Sequence, residues 1–178
     1  MSAFEQGDEL RQDVAFRLLT NTSVTLFWRR RVLDETLERL VERGYEVTIV
    51  DASTWSSESD LHEGVASALG LPDHYGRNLD ALDDCMRDVV AHEYGWDPDA
   101  TGLVLVFTGY DRFAAACPRS AQAVLDIMAR QSRAAALVGG RFMCLVQSDD
   151  PQIGFQDVGA TPVLWNDAEW AESRRRPG

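Results

Sequence analysis

The sequence predicts an α/β fold: a mostly parallel sheet of about four strands flanked by helices on both faces. Three observations carry this expectation. Short runs rich in β-branched and large apolar residues alternate with longer stretches whose apolar residues recur at helical spacing. Two of the short runs, residues 103–107 (LVLVF) and 142–146 (FMCLV), are apolar throughout, as strands buried on both faces are. Every gap between successive runs is long enough for the crossover that parallel strands require.

Taken in order, residues 1–20 read as a loosely amphipathic helix with Leu10, Val14 and Leu18 as its stripe. Residues 23–28 (SVTLFW) form a strand. Residues 32–43 form a helix through Val32, Leu33, Leu37, Leu40 and Val41, and Gly44 stops it. Residues 45–50 (YEVTIV) are the next strand, so strand, helix and strand make a parallel βαβ unit. A helix at 57–69 sets Leu61, Val65, Ala68 and Leu69 on one face, and Gly70-Leu71-Pro72 breaks it. A longer helix spans about 78–93, and Gly95, Pro98 and Gly102 mark the loop before the strand at 103–107. A short helix at 109–117 precedes a good one at 119–136, with Ala121, Val124, Leu125, Met128 and Ala135 inward. Gly139-Gly140 ends it before the strand at 142–146. In the tail, residues 162–165 offer one more strand at a sheet edge, where Pro162 is tolerated, and residues 174–176 a solvated end.

The chain has 178 residues, 45% hydrophobic and 26% charged, enough to bury a core without disulfide or metal. Seventeen Lys and Arg against 29 Asp and Glu give a net charge of −12. Such a surface repels nucleic acid and anionic membranes and draws basic partners from a distance; the plain alternative is solubility. Cys85, Cys117 and Cys144 are far apart in apolar stretches and read as buried free thiols of a reducing compartment. Glu5, Asp8, Glu9 and Asp13 make the N-terminus too acidic for a signal or transit peptide, and no apolar run approaches a membrane span. The expected location is the cytoplasm.

The most informative stretch is residues 74–90, HYGRNLDALDDCMRDVV. Asn78 suits a helix N-cap, because its short side chain can accept from a free N–H of the first turn. At 100° per residue, Leu79, Leu82, Met86, Val89 and Val90 fall on one side of the helix and Asp80, Asp83, Asp84 and Arg87 on the other. Asp80 and Asp84, four residues apart, stand side by side near the N-terminus, where partial positive charge tolerates them. Three readings stay open on these residues alone. The acids can be a solvated face; they can be hard oxygen ligands for a metal, although no second acidic cluster accompanies them; or they can be a binding face whose carboxylates imitate phosphates held by Lys, Arg and His. A helix would fix such carboxylates in advance and spare ordering entropy on binding.

Three segments narrow the choice. Asp60-Leu61-His62, Leu69-Gly70-Leu71-Pro72, and the run of Tyr75, Gly76, Asn78, Leu79, Asp80, Ala81, Leu82, Asp84 and Cys85 closely resemble the barstar family, inhibitors of the ribonuclease barnase. The resemblance runs from about residue 45 to 147 and is densest at 60–85. It implies a barstar-like domain at 45–148. Residues 1–44 and 149–178 lie outside it; the link from Arg43 to Tyr45 is too short for an independent module, so 1–44 is expected to be a helix and βα extension packed on the core, and 149–178 a partly irregular extension. The resemblance also implies a protein that plugs the basic active site of a secreted or toxin-type ribonuclease with an acidic helix and the loop before it. The family's two helix aspartates match Asp80 and Asp84, and its interface glycine and Asn-Leu pair match Gly76, Asn78 and Leu79. Four positions depart. The loop tyrosine is His74, the helix tryptophan is Asp83, a hydroxyl residue is Arg87, and a glutamate of the later helix is Arg130. These changes bear on which ribonuclease is recognised. Arg87 can pair with Asp83 or Asp84 and blunt the stripe.

Nothing points to catalysis. His62 reads as a hydrogen-bonded structural residue and His92 as a helix C-terminal one; no serine or cysteine sits on a nucleophile elbow, and the glycines form no phosphate-binding fingerprint. The sequence therefore predicts a binding protein and not an enzyme, with no cofactor, no metal, no direct nucleic-acid contact and no membrane. The alternatives are a barstar-like domain that binds another basic cytosolic protein, and a metal-dependent enzyme built on Asp80, Asp83 and Asp84.

Overall fold

A computed structural model describes residues 13–172 and residue 174 of the chain. Its elements run α1 (Val14–Asn21), β1 (Val24–Phe27), α2 (Arg30–Glu42), β2 (Glu46–Asp51), α3 (Glu58–Leu69), α4 (Leu79–Val90), β3 (Leu103–Thr108), α5 (Tyr110–Ala116), α6 (Pro118–Leu137), β4 (Phe142–Gln147) and β5 (Leu164–Trp165). The five strands form one sheet in the order β2-β3-β4-β1-β5, and every pairing is parallel.

Among the described residues the sheet has five strands, one more than the expected four or so, and the extra one falls within the edge strand expected at 162–165. The fifth is Leu164–Trp165, which pairs with Thr25 and Leu26 at the edge. The βα unit at the N-terminus is parallel but not adjacent: β3 and β4 stand between β1 and β2. Helices cover both faces because strand side chains alternate. On one face Val24, Leu26, Val50, Leu105, Phe107, Cys144 and Val146 meet α3, α4, α5 and α6. On the other, Phe27, Val104, Val106, Met143 and Leu145 meet α1 and α2 through Val14, Leu18, Leu33, Leu37 and Leu40. At the N-terminus Val14 and Leu18 are buried as expected, while Leu10 lies outside the described residues. Of the tail expected at 174–176, only Arg174 is described, and it is exposed.

Helix ends follow glycine where the sequence supplies it. Gly44 closes α2 at φ +84°, with Tyr45 N–H donating to Leu40 and Gly44 N–H to Val41, so the last carbonyls are satisfied by a left-handed turn. α4 ends the same way one turn earlier than the sequence predicts. His92 takes the left-handed position at φ 62°, and Glu93 N–H donates to Asp88 at 3.0 Å. Two further expectations need correction. Ala68 is exposed, and the fourth buried position of α3 is His62. Cys85 and Cys144 are buried free thiols, but Cys117, at the α5–α6 junction, is only half-buried.

Candidate functional site

The loop before α4 is held by a chain of polar contacts that begins on α3. Ser57 and Asp60 form a reciprocal capping box at the start of that helix. One turn on, His62 is 1% exposed, with Nε2 3.4 Å from Glu58 Oε1 and Nδ1 2.5 Å from the Tyr75 hydroxyl. The Glu58 carboxylate can only accept, so the hydrogen bond at Nε2 is donated by the His62 ring. Burial pushes the Tyr75 phenol well above its usual range, which keeps it a donor. The Ser120 hydroxyl on α6 donates to Glu58 Oε2 at 2.5 Å and, with His62, lowers the Glu58 pKa. His62 is hydrogen-bonded and structural, as the sequence suggested, and its effect is to anchor Tyr75 and with it the 72–78 loop.

The next residues turn the chain into α4. Arg77 sits at φ 50°, a left-handed conformation for a side chain that carries a Cβ. Asn78 then caps the helix, its Oδ1 accepting from Ala81 N–H at 2.8 Å, while its Nδ2 donates to Gly76 carbonyl at 3.3 Å. A Cβ on Gly76 would stand 3.2 Å from the Ala81 Cβ, so the loop packs closely on the first turn. Below, Leu82, Met86 and Val89 are fully buried, and Cys85 and Val90 are 8% exposed. Leu79 is half-buried against the same core.

The outward face divides into three parts. Asp80 is exposed, and no ion pair is found for it among the described residues. Asp84 and Arg87 pair at 3.1 Å, with both side chains about two-thirds exposed at 70% and 65%. Asp83 is turned aside: its carboxylate accepts from Gln131 Nε2 at 2.9 Å and Arg130 Nη1 at 3.2 Å, so it binds α4 to α6. Arg130 also pairs with Asp126 at 3.2 Å, and Asp126 accepts from Gly159 N–H at 2.9 Å, drawing the C-terminal segment into the network. His74, Gly76 and Asn78 are exposed in the loop.

All eight residues singled out from the sequence therefore lie on one loop and helix, but Asp83 faces a neighbouring helix. Gln131 is the residue that spacing did not reveal; it is 6% exposed, and nothing in α6's own pattern distinguishes it from a surface glutamine. Among the described residues no group of three or more His, Cys, Asp or Glu is placed to hold a metal ion, and Asp83's commitment to α6 separates the three acids that a metal would need. Among the same residues no helix is long and apolar enough to cross a membrane.

Known proteins resemble this chain in sequence or in fold. One relative is "Putative ribonuclease inhibitor YrdF" of Bacillus subtilis (strain 168), 45% identical over 38 residues, which are 21% of this chain and 42% of that protein. The match thus spans less than half of the relative's length. Among solved structures, the Walker-type ATPase PABY2304 of Pyrococcus abyssi is similar with a TM-score of 0.50 at 14% identity, over 83% of this chain and 45% of that one. That likeness concerns the fold alone. Residues 45–147 match the profile of the family described as Barstar (barnase inhibitor). This match covers more than half of the chain and takes in α3, the anchored loop and α4 whole, so the chain belongs to the barstar family.

Proposed function

We propose that this protein inhibits a ribonuclease by seating α4 and the 74–78 loop in the enzyme's basic active site. Asp80 and Asp84 stand where substrate phosphates would be held, and neither offers a bond to cleave. The observation that carries the proposal is the pairing of two exposed carboxylates, one turn apart, with a helix face that is buried and a loop that is anchored from below. Such carboxylates lose little freedom on binding, and charge-assisted hydrogen bonds to Arg or Lys are about twice as strong as neutral ones. The net charge of −12 steers a basic enzyme toward the surface. Catalysis has no part in this role. The free thiols fit the reducing cytoplasm, where an inhibitor would guard against a toxin-type or prematurely active secreted ribonuclease.

A second reading rests on Arg87. Because it partly offsets the charge of Asp84, a basic protein that engages Asp80 more than Asp84 would fit as well. Capture on the immobilised protein, from secreted and cytosolic fractions of the source organism, separates the two. The first reading expects a captured ribonuclease whose activity falls stoichiometrically with added protein. Capture of basic proteins without ribonuclease activity supports the second. Inhibition that is equal for wild type, Asp80→Ala and Asp84→Ala would remove α4 from the inhibitory role.

A further inference from the structure

The sheet has two edges of unequal kind. At one, β5 is two residues long. At the other, β2 runs six residues, Glu46–Asp51, and among the described residues it pairs on one side only, with β3. Glu46 N–H donates to Gly102 and Ala52 N–H to Thr108, so the even-numbered residues of β2 bond to the β3 side. Val47 and Ile49 consequently turn their main-chain N–H and C=O to the open side. Their side chains also point to the α2 face of the sheet, where they meet Leu37 and Val41 in a shallow groove. Val41 is 57% and Ile49 49% exposed, so the groove is apolar and uncovered among the described residues.

Its rim is acidic. Asp34, Glu38 and Glu42 line the helix side, and Asp51, of the same parity as Val47 and Ile49, ends the strand. Asp34 pairs with Arg30, whereas no ion pair is found for Glu38 or Glu42 among the described residues. A long unpaired edge invites strand addition, and like charge is what keeps such an edge from pairing with a second copy of itself. Each copy of this chain would bring the same acids and a net charge of −12, so the rim disfavours self-pairing and selects for positive charge.

We propose that β2 and the groove against α2 form a second docking surface, which takes an extended segment of a partner protein whose apolar residues are flanked by lysine or arginine. The segment adds a strand beside β2: its main chain bonds to Val47 and Ile49, its apolar side chains enter the groove, and its basic ends meet Glu38 and Glu42. This surface lies at the sheet edge, on the face opposite α4. Occupation of this edge does not depend on the ribonuclease reading.

The test uses the full chain and a synthetic peptide of alternating valine and threonine with two lysines at each end, alongside the same peptide ended by glutamates. The lysine peptide should bind saturably and slow hydrogen exchange at Val47 and Ile49 N–H. The glutamate peptide should bind at least about tenfold more weakly, as should the lysine peptide to Ile49→Lys or to the double variant Glu38→Lys, Glu42→Lys. Ile49→Pro removes an outward donor while sparing the bonds to β3, and should weaken binding comparably even though proline is tolerated at an edge. Absence of saturable binding, equal affinity for the two peptides, or protection of the same amides by self-association of the protein alone would each overturn the proposal.

Discussion

Asp80 and Asp84 are one turn apart and chemically alike, yet they start from different states. Asp84 would meet a partner's cation beside Arg87, whose positive charge repels that cation, whereas Asp80 has no such paired cation among the described residues. Asp80→Ala should therefore cost the complex more than Asp84→Ala. The expected loss for Asp80→Ala is about 2–5 kcal/mol, the general range for truncating one member of a buried charge pair, to which barnase–barstar itself contributed. Arg87→Ala should tighten binding by freeing Asp84, mainly through slower dissociation. Stopped-flow binding of the four proteins to the captured ribonuclease checks both points, and association should slow as salt rises because the steering field is screened. Glu58 gives a pH signature. Its folded-state pKa is lowered below the ordinary 4.5, first by the Ser120 hydrogen bond and also by His62. A depressed carboxylate stabilises the fold above its unfolded value and loses that contribution as pH falls through the folded one. The difference in unfolding midpoint between wild type and Glu58→Gln should accordingly be present near neutrality and vanish in acid below 4.5. A difference that persists there would exclude Glu58 ionisation as its source.

At the scale of elements, α4 separates function from stability by face. Leu82 is fully buried, and Leu82→Ala should cost about 2–5 kcal/mol of stability through lost transfer energy and a residual cavity. Asp80→Ala should leave the unfolding midpoint nearly unchanged, since its side chain is exposed. Chemical denaturation of the two variants distinguishes these outcomes. Asp83 belongs with Leu82 in this respect. Its removal leaves the buried Gln131 amide without its carboxylate and loosens α4 from α6, so Asp83→Ala should destabilise the free protein although the helical wheel sets it among the outward acids. The period of a helix locates a side chain on a wheel, but it does not show which neighbour the helix packs beside.

For the whole molecule, the extensions outside the family match are structurally continuous with it. β1 lies between β4 and β5, and α1 and α2 cover Val104, Val106, Met143 and Leu145. From the other end, Glu169, fully buried, accepts from Trp28 N–H and Arg29 N–H at 2.8 Å each and from Asn166 Nδ2 at 2.6 Å, and so caps the start of α2. We propose that both extensions fold as one unit with residues 45–148. A protein beginning at Tyr45 should then lose its cooperative transition or aggregate, because one apolar sheet face and the flank of β4 would be bared. Glu169→Ala in the full chain should lower the unfolding midpoint, with about 1–3 kcal/mol lost for stranding buried donors. An unchanged midpoint in both proteins would show that the extensions fold apart from the core.

Composition and periodicity by themselves determined most of the elements here, because burial writes its period into the chain. Apolar runs at 103–107 and 142–146 have no other stable use than strands covered on both sides, and Asn78 and Gly44 mark helix ends by local chemistry alone. The family motif at 60–85 was equally legible, since its residues are contiguous and each acts locally, as a cap, in a close turn or on a buried face. Tertiary structure decided what depends on residues far apart in the chain. It set β3 and β4 between β1 and β2, turned Asp83 toward Gln131 some 48 positions away, gave Asp84 an ion pair that Asp80 lacks among the described residues, and brought Glu169 to the head of α2. Strand order and long-range polar contacts are settled by which elements bury each other, and that is a property of the packed chain that no local pattern encodes.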